Sequence, residues 1–554
     1  MRREPQLCAF LLIASATVAG CQAAWPNYRA ETGRMGQQIL ASKLSDPDAV
    51  PHLKVGWTFT PPDPGTKFQG SPVVFDHTVF VGSLQGVFYA IDEKTGTLRW
   101  RFPSTGSLLL TSPCPTAFGN YGIKSSATFA EIGGQDAVIF GAPDPAASPA
   151  LGSAVLYAVN AASGALIWKS DVVATVNGCT TAYSTILSSP YYTELHERIA
   201  YSSPLAYGGK VYVGISDSGD DPIQNGRVAA VDEATGKLVP GFSYFSVTAG
   251  NRGGGVWNGP ATDGQGLYFT TGNTRFPPEP EPAVNRGLSM MRVDPNTGSA
   301  AWQFQPVPYA QDDDPDWSAG AAVMYSSSGE QILSVQKDGW AYGVEASTGK
   351  CLWQYPPTSE PSCTFAPSPP NTLHNDYHYK VPGAVWGDTF ITMAGGWDLV
   401  MGPSQGPTAG YTKLYSFNAT APDAFRVRWV VDVPDTAPGH GYNIGAPSVT
   451  GGIVYVTTSQ GHLVAFADPL IAIPQGIVCT YDWINPASVG PTWPAFCIAG
   501  GAQVAFVPAQ LVDLALPDGT SGGGPVGLRM EPAIAYGKLF VSTQGGHVYA
   551  LWPQ

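Results

Sequence analysis

The sequence predicts an all-β protein, an eight-bladed β-propeller whose ring is closed by an N-terminal strand. Three observations carry that expectation. Gly (65) and Pro (50) make up about a fifth of the 554 residues, and charged residues only 13%, which suits many short strands joined by turns. One pattern recurs along the chain: an apolar strand, an Asp or a relative, Thr-Gly, then Trp four residues after the Gly. The chain also ends on GGHVYALWPQ with no outer strand after it, while Leu53–Phe59 near the start is a strand without a unit of its own. Length alone would favour several domains, but a repeat overrides that prior.

The chain begins MRREPQLCAFLLIASATVAGCQAAW. A basic start at Arg2 and Arg3 and a short apolar run predict an export signal over residues 1–23, cleaved after Ala23. The run is too short to span a bilayer comfortably. Val18-Ala19-Gly20-Cys21 also matches a bacterial lipoprotein box, the alternative in which Cys21 carries a lipid anchor. Residues 24–554 are then one propeller, placed in the periplasm or outside the cell. No later segment reads as a transmembrane span.

The repeat appears as YAIDEKTGTLRW, ending at Trp100, and as YAVNAASGALIW, ending at Trp168. AAVDEATGKLVP keeps Asp232 and Gly236 but ends in Pro240; MRVDPNTGSAAW ends at Trp302 and YGVEASTGKCLW at Trp353. A degenerate copy ends at Trp429. Thr-Gly supplies a tight turn with Gly at positive φ, and the Asp side chain holds it by accepting local backbone N–H groups. The Trp on the outer strand is expected between neighbouring sheets, which are too small to bury both faces unless they stack in a ring. Before each copy runs a second pattern, a small-residue or Pro stretch, a Gly turn and an alternating strand, as in SPVVFDHTVFVGS and EPAIAYGKLFVST. Eight such units are counted. The longest insertion, about 470–524, carries Cys479 and Cys497.

The formal net charge of −14 leaves no basic stripe for phosphates and argues against a nucleic-acid partner. In an exported chain disulfides are the default, and Cys351–Cys363 and Cys479–Cys497 are the preferred pairs, leaving Cys114 with Cys179. No CxxC or CxxCH occurs, so zinc-ribbon and c-type haem readings have no support. The eight His residues are scattered and form no triad; His374 and His378 read as part of a surface loop.

These units resemble the tryptophan-docking repeats of the pyrroloquinoline quinone (PQQ) dehydrogenases, with the nearest likeness to polyvinyl-alcohol dehydrogenase-like members. The opening WPNYRAETGRMGQ from Trp25 is similar to the start of that family. Related propellers without cofactor share the docking motif, so activity has to be argued from the site. The resemblance implies PQQ beside Ca²⁺ on the propeller axis, held by an aromatic floor, cations and oxygen ligands. In GGGVWNGPATDGQGLYFTTGN it makes Trp257 the floor and gives the amide oxygen of Asn273 to calcium. In YVGISDSGDDPIQNGRVAAVD it makes Asp221 a metal ligand, with Asp220 the alternate. In DDDPDWSAGAAV it makes Asp316 the catalytic base and a metal ligand, with the register open across Asp312–Asp314. In LSVQKDGWAYGVE it puts Lys337 on the quinone oxygens; Lys124 and Trp386 are further cofactor-binding candidates. The competing structural readings are a blade-packing Trp257, an ordinary turn at Gly272-Asn273 and acidic surface runs at Asp221 and Asp316.

The expected function is oxidation of a small or polymeric alcohol, or of a sugar hydroxyl, with electrons leaving to a separate acceptor because no haem domain is fused. Adjacent cysteines, carried by many quinoprotein alcohol dehydrogenases, are missing here. The alternative is a non-catalytic propeller that binds partners or assembles envelope complexes.

Overall fold

The computed structural model describes residues 24–41, 43–109, 122–145, 153–171, 173–183, 190–196, 199, 201–216, 226–247, 253–273, 284–306, 317, 319–326, 329–336, 340–355, 363, 378–379, 381–395, 413–422, 426–433, 445–458, 461–468, 478–480, 495–499, 502–506, 508–517 and 530–554. Alternating short apolar strands and Gly turns fold into eight antiparallel sheets, each a blade with strands A to D from the inside outward. Blade 1 is Val73–Phe75, Thr78–Gly82, Phe88–Asp92 and Leu98–Phe102. Blade 2 is Thr128–Ile132, Gln135–Pro143, Ser153–Asn160 and Leu166–Lys169, extended by the hairpin Ala174–Tyr183 and Pro190–His196. Blade 3 is Leu205–Tyr207, Lys210–Ile215, Arg227–Asp232 and Tyr244–Phe245; blade 4 is Ala261–Thr262, Leu267–Thr270, Met290–Val293 and Ala300–Phe304. Blade 5 is Ala322–Ser326, Gly329–Val335, Ala341–Glu345 and Cys351–Tyr355; blade 6 is Ala384–Trp386, Thr389–Gly395, Lys413–Asn418 and Val427–Asp432. Blade 7 is Ser448–Thr450, Ile453–Thr457, His462–Ala467 and Ala509–Ala515. Blade 8 is Ala533–Ala535, Lys538–Ser542 and Val548–Pro553, completed by Leu53–Phe59.

The closing strand pairs as expected, with Val55 opposite Leu551 and Phe59 opposite Val548. The C-terminal strand Val548–Pro553 is thereby paired on both sides. Every pair of neighbouring blades shares an apolar layer; blades 4 and 5, for example, bury Tyr268, Met290, Ile332 and Val344 against one another.

The repeat residues act as predicted. Asp92 Oδ1 accepts the N–H groups of Lys94 and Thr95 at 3.0 and 2.9 Å, and Gly96 takes φ +71°. Four docking Trp residues lie against the turn Gly of the next blade and donate Nε1–H to the carbonyl just after its turn Asp, Asn or Glu. The bonds are Trp57 to Glu93, Trp100 to Ala161, Trp168 to Glu233 and Trp302 to Ala346, at 2.9–3.0 Å. A Cβ on Gly164 would sit 2.7 Å from the Trp100 ring, so the indole needs glycine beneath it. Where blade 3 lacks the Trp, the Tyr212 hydroxyl donates to the equivalent carbonyl of Pro295 at 2.6 Å. Trp353 reaches blade 6 through Gln331: the indole donates to Gln331 Oε1, whose amide donates to Ala419 O.

Two expectations change, and one cysteine pair is as expected. The insertion in blade 7 ends before Ala509, because Ala509–Ala515 is that blade's outer strand, paired with His462–Ala467; it carries neither docking Trp nor Thr-Gly turn, which hid it. The insertion folds as a three-stranded sheet over Val478–Thr480, Ala495–Ala499 and Ala502–Phe506, with Cys479 in register with Cys497. His378–Tyr379 is a strand rather than loop, paired with Ala394 and Gly395; His374 lies outside the described residues. Cys351 and Cys363 form a disulfide. Residues 1–23, with Cys21, and Cys114 lie outside the described residues.

Residues 24–38 cross the ring axis and bond to blade after blade. Trp25 pairs with Val74, and Thr262, Val323, Val385 and Val449 donate to the carbonyls of Thr32, Gly33, Met35 and Gly36. Two buried arginines fasten this plug. Arg29 meets Glu531 at 2.7 Å, with both side chains fully buried, and its guanidinium also donates to the carbonyls of Gly383 and Pro447. Arg34 donates to the carbonyls of Pro260, Pro204 and Tyr28. Burial pulls Arg34 down to about 10 against the opposing pull of Glu31, and burial pushes Glu31 up.

Candidate functional site

In an antiparallel blade the B–C loop and the D-to-A crossover share one end of the sheet, and the A–B and C–D turns the other. That rule sorts the candidate residues. Asp221 lies between strands B and C of blade 3, Asn273 in the same loop of blade 4 and Lys337 in that of blade 5. Trp257, Asp316 and Lys124 lie in the crossovers from blade 3 to 4, 4 to 5 and 1 to 2. Of these, Trp257, Asn273 and Lys124 are described, and all three belong to loops at one end. Trp386 does not: it is the last residue of strand A in blade 6, paired with Thr389 across the A–B turn, and packs against the blade 6–7 core. That is the opposite end, so Trp386 is withdrawn from the site. Asp220, Asp221, Asp312–Asp314, Asp316 and Lys337 lie outside the described residues.

Trp257 and Asn273 come together. Gly253-Gly254-Gly255 precedes Trp257, and having no side chains it lets the neighbouring loops close onto its backbone. Gly254 N donates to Asn273 O at 2.7 Å and Gly272 N to Gly255 O at 2.8 Å. A Cβ on Gly272 would stand 2.5 Å from Trp257 Nε1, so the indole lies against the residue before Asn273. Gly226, which leads into strand C of blade 3, is fixed to the same strip: its N donates to Gly253 O at 2.9 Å, and a Cβ on it would fall 1.8 Å from Gly254 O. Three loops from two blades thus meet on one glycine run. Asn273 is 6% exposed.

The residue after Asp316 is equally fixed. Trp317 is fully buried between blades 4 and 5, with its ring 5.5 Å from Tyr342 and 6.4 Å from Phe304. Gln336 N donates to Trp340 O at 2.8 Å, continuing the pairing of strands B and C of blade 5. Lys124 lies with Nζ 5.6 Å from the centre of the Tyr201 ring, at the blade 1–3 side of the same end. Arg34 reaches this end from behind: its acceptor Pro260 is three residues beyond Trp257.

Sequence reasoning missed three features here. Gln336 is fully buried, and neither Nε2 nor Oε1 meets a hydrogen-bond partner among the described residues. Arg29 and Arg34 were seen only as part of a family-like opening. No sequence signal marks an unsatisfied amide; the arginines could have been flagged by their Gly and Pro neighbours on an apolar opening. Among the described residues no group of three or more His, Cys, Asp or Glu is placed to hold a metal.

A family model described as outer membrane protein assembly factor BamB matches residues 53–120. Among curated relatives, the polyvinylalcohol dehydrogenase of Sphingopyxis sp. (strain 113P3) is 24% identical over 356 residues, 55% of this chain and 46% of the relative. Lupanine 17-hydroxylase (cytochrome c) of a Pseudomonas species is 25% identical over 58% of this chain and 46% of its own length. The quinone alcohol dehydrogenase subunit of Gluconobacter oxydans (strain 621H) is 23% identical over 69% and 52%. The chain spans about half the length of the curated relatives it matches. Among solved structures, the quinohemoprotein alcohol dehydrogenase from Comamonas testosteroni aligns with TM-score 0.57 at 17% identity, covering 96% of this chain and 80% of that one. A europium-containing methanol dehydrogenase aligns with TM-score 0.56 at 15% identity, covering 86% and 89%. The chain thus resembles the quinoprotein alcohol dehydrogenases in sequence and shares their propeller fold.

Proposed function

We propose that this chain is an exported quinoprotein oxidoreductase that oxidises an alcohol or sugar hydroxyl, with PQQ and calcium held at the loop end of blades 3 to 5. The observation that carries the reading is the meeting of Trp257 and Asn273 on Gly253–Gly255. It sets a flat apolar plate beside a buried amide, as a planar, metal-bound ligand requires. The unsatisfied amide of Gln336 adds a polar group to the same end. Bound there, PQQ would supply the two-electron acceptor and Ca²⁺ the Lewis acid.

Trp257 would support the ring plane, and Asn273 would offer its side-chain oxygen to the metal. Asp221 would supply an anionic oxygen ligand, with Asp220 the alternate. Asp316 would take the proton of the substrate hydroxyl and add a further oxygen to the metal. A carboxylate kept ionised by a nearby cation is suited to both tasks. Lys337 would place positive charge on the quinone oxygens, and Lys124 would add a second cation. Water would be kept from the floor by the plug of residues 24–38, which fills the axis behind Pro260. Electrons would leave to a separate acceptor. Export rests on the signal-like residues 1–23; among the described residues no helix is long and apolar enough to cross a membrane.

The test is a titration of the purified protein, stripped with EDTA, with PQQ and Ca²⁺. Saturable, calcium-dependent PQQ binding with dye-linked alcohol oxidation is expected. PQQ that fails to bind at any calcium concentration contradicts the proposal.

The second reading, a binding or assembly scaffold, is favoured by the match of residues 53–120 to an assembly-factor family. That segment spans the closing strand and blade 1. It contains the repeat but neither Trp257 nor Asn273, so it speaks to the docking motif and not to the loop end.

A further inference from the structure

We infer that Gln336 is a ligand-contact residue of this site, its side-chain amide donating to an anionic oxygen of the bound quinone. The inference rests on the proposed function above and adds a residue that the family resemblance does not point to. It starts from the lack of a partner: Gln336 is fully buried, and neither polar atom of its amide meets a hydrogen-bond partner among the described residues. An amide taken from water with nothing to bond is costly, and native structures seldom keep one without a reason.

The direction of the side chain follows from strand alternation. In strand B of blade 5, Leu333 and Val335 pack toward blade 6, and Ile332 packs toward blade 4. Ser334 and Gln336 share the face of Ile332. Ser334 Oγ donates to Ala319 O at 3.0 Å, and Thr270 Oγ1 of blade 4 donates to the same carbonyl at 2.8 Å. Ala319 O is therefore a fixed point between the two blades. Three residues beyond Thr270 stands Asn273; two beyond Ser334 stands Gln336. Both strands run toward the loop end, so Gln336 and Asn273 lie at the same end of their blades. In sequence Gln336 directly precedes Lys337, the cation proposed above for the quinone. A donor beside a cation suits the carboxylates and carbonyl oxygens of PQQ, whereas a metal ligand there would need to present oxygen.

The test compares wild-type protein with Gln336→Met and Gln336→Glu, measuring PQQ affinity in saturating Ca²⁺ by calorimetry, Ca²⁺ affinity, and the melting temperature without ligand. Met keeps the volume and removes the polar atoms, so Gln336→Met is expected to melt at or above the wild-type temperature without ligand. It should bind PQQ about tenfold more weakly or worse, as loss of a hydrogen bond to a charged group implies. Gln336→Glu keeps the shape and should weaken PQQ as well, with Ca²⁺ affinity unchanged. Wild-type binding with unaltered PQQ affinity in Gln336→Met overturns the inference and leaves the proposed function standing. A lower melting temperature of that variant also overturns it, since the amide would then be satisfied without ligand. Tighter Ca²⁺ binding by Gln336→Glu overturns the donor role in favour of a metal ligand. A wild-type chain that binds no PQQ removes the proposed function and this inference together.

Discussion

Asp316→Asn is expected to cut turnover of the PQQ- and Ca²⁺-loaded protein by about 10²–10⁴-fold, the usual contribution of a positioned general base. The substitution keeps the shape and hydrogen-bonding reach of the side chain and removes its basicity. The fold should be untouched, because Trp317, fully buried against Phe304 and Tyr342, anchors the chain immediately after it. The melting temperature should therefore stay at the wild-type value while dye-linked alcohol oxidation collapses. Asn substitutions at Asp312, Asp313 and Asp314 are the controls and should leave turnover within a few-fold of wild type. A larger loss at one of these than at Asp316 would move the base along the loop. Equal, small losses at all four would mark the run as a solvated acidic loop with no part in chemistry.

Arg29→Met is expected to destabilise the propeller by about 3–5 kcal/mol, the range for breaking one side of a buried ion pair. Arg29 and Glu531 are both fully buried and 2.7 Å apart. Burial alone pushes the Glu531 carboxyl up, and Arg29 is the chief group pulling it down. The same guanidinium bonds carbonyls just before the A strands of blades 6 and 7, so its loss also orphans acceptors at the axis. Gly36 is shaped to it: a Cβ there would stand 2.2 Å from Arg29 Nη2, and its φ is +64°. The double variant Arg29→Met/Glu531→Met should recover much of the loss, because apolar replacement of both partners avoids an uncompensated charge. Denaturant midpoints of the two single variants and the double variant measure this. A double variant no more stable than Arg29→Met would place the effect in the carbonyl bonds rather than the ion pair.

The fold was legible because its repeat is local. A Gly at positive φ, an Asp that caps its own turn and a Trp at fixed spacing are all short-range necessities, and Trp100, Trp168 and Trp302 dock where that spacing puts them. Trp57 makes the same bond, yet reads weakly because its turn and its blade lie at opposite ends of the chain. Ala509–Ala515 was hidden for the opposite reason: it is an outer strand that kept none of the motif. At the site, Trp257 and Asn273 were joined only by the resemblance of their segment to the quinoprotein family; the close approach that the bare glycines of GGGVW and TTGN allow is seen only in the fold. Trp386 misled because a Trp before Gly-Asp can as well end an inner strand, and only the sheet shows which end it occupies. Gln336 could not be read at all: burial and the lack of partners are properties of the folded surroundings, not of the residue.

The most direct measurement is a crystal structure of the chain loaded with PQQ and Ca²⁺. It should show the quinone lying flat on Trp257, with the metal about 2.3–2.6 Å from the side-chain oxygen of Asn273, the distance calcium keeps to oxygen. A quinone bound away from Trp257, or a metal with Asn273 outside its coordination shell, would contradict the account and leave a docking-motif propeller without quinone chemistry.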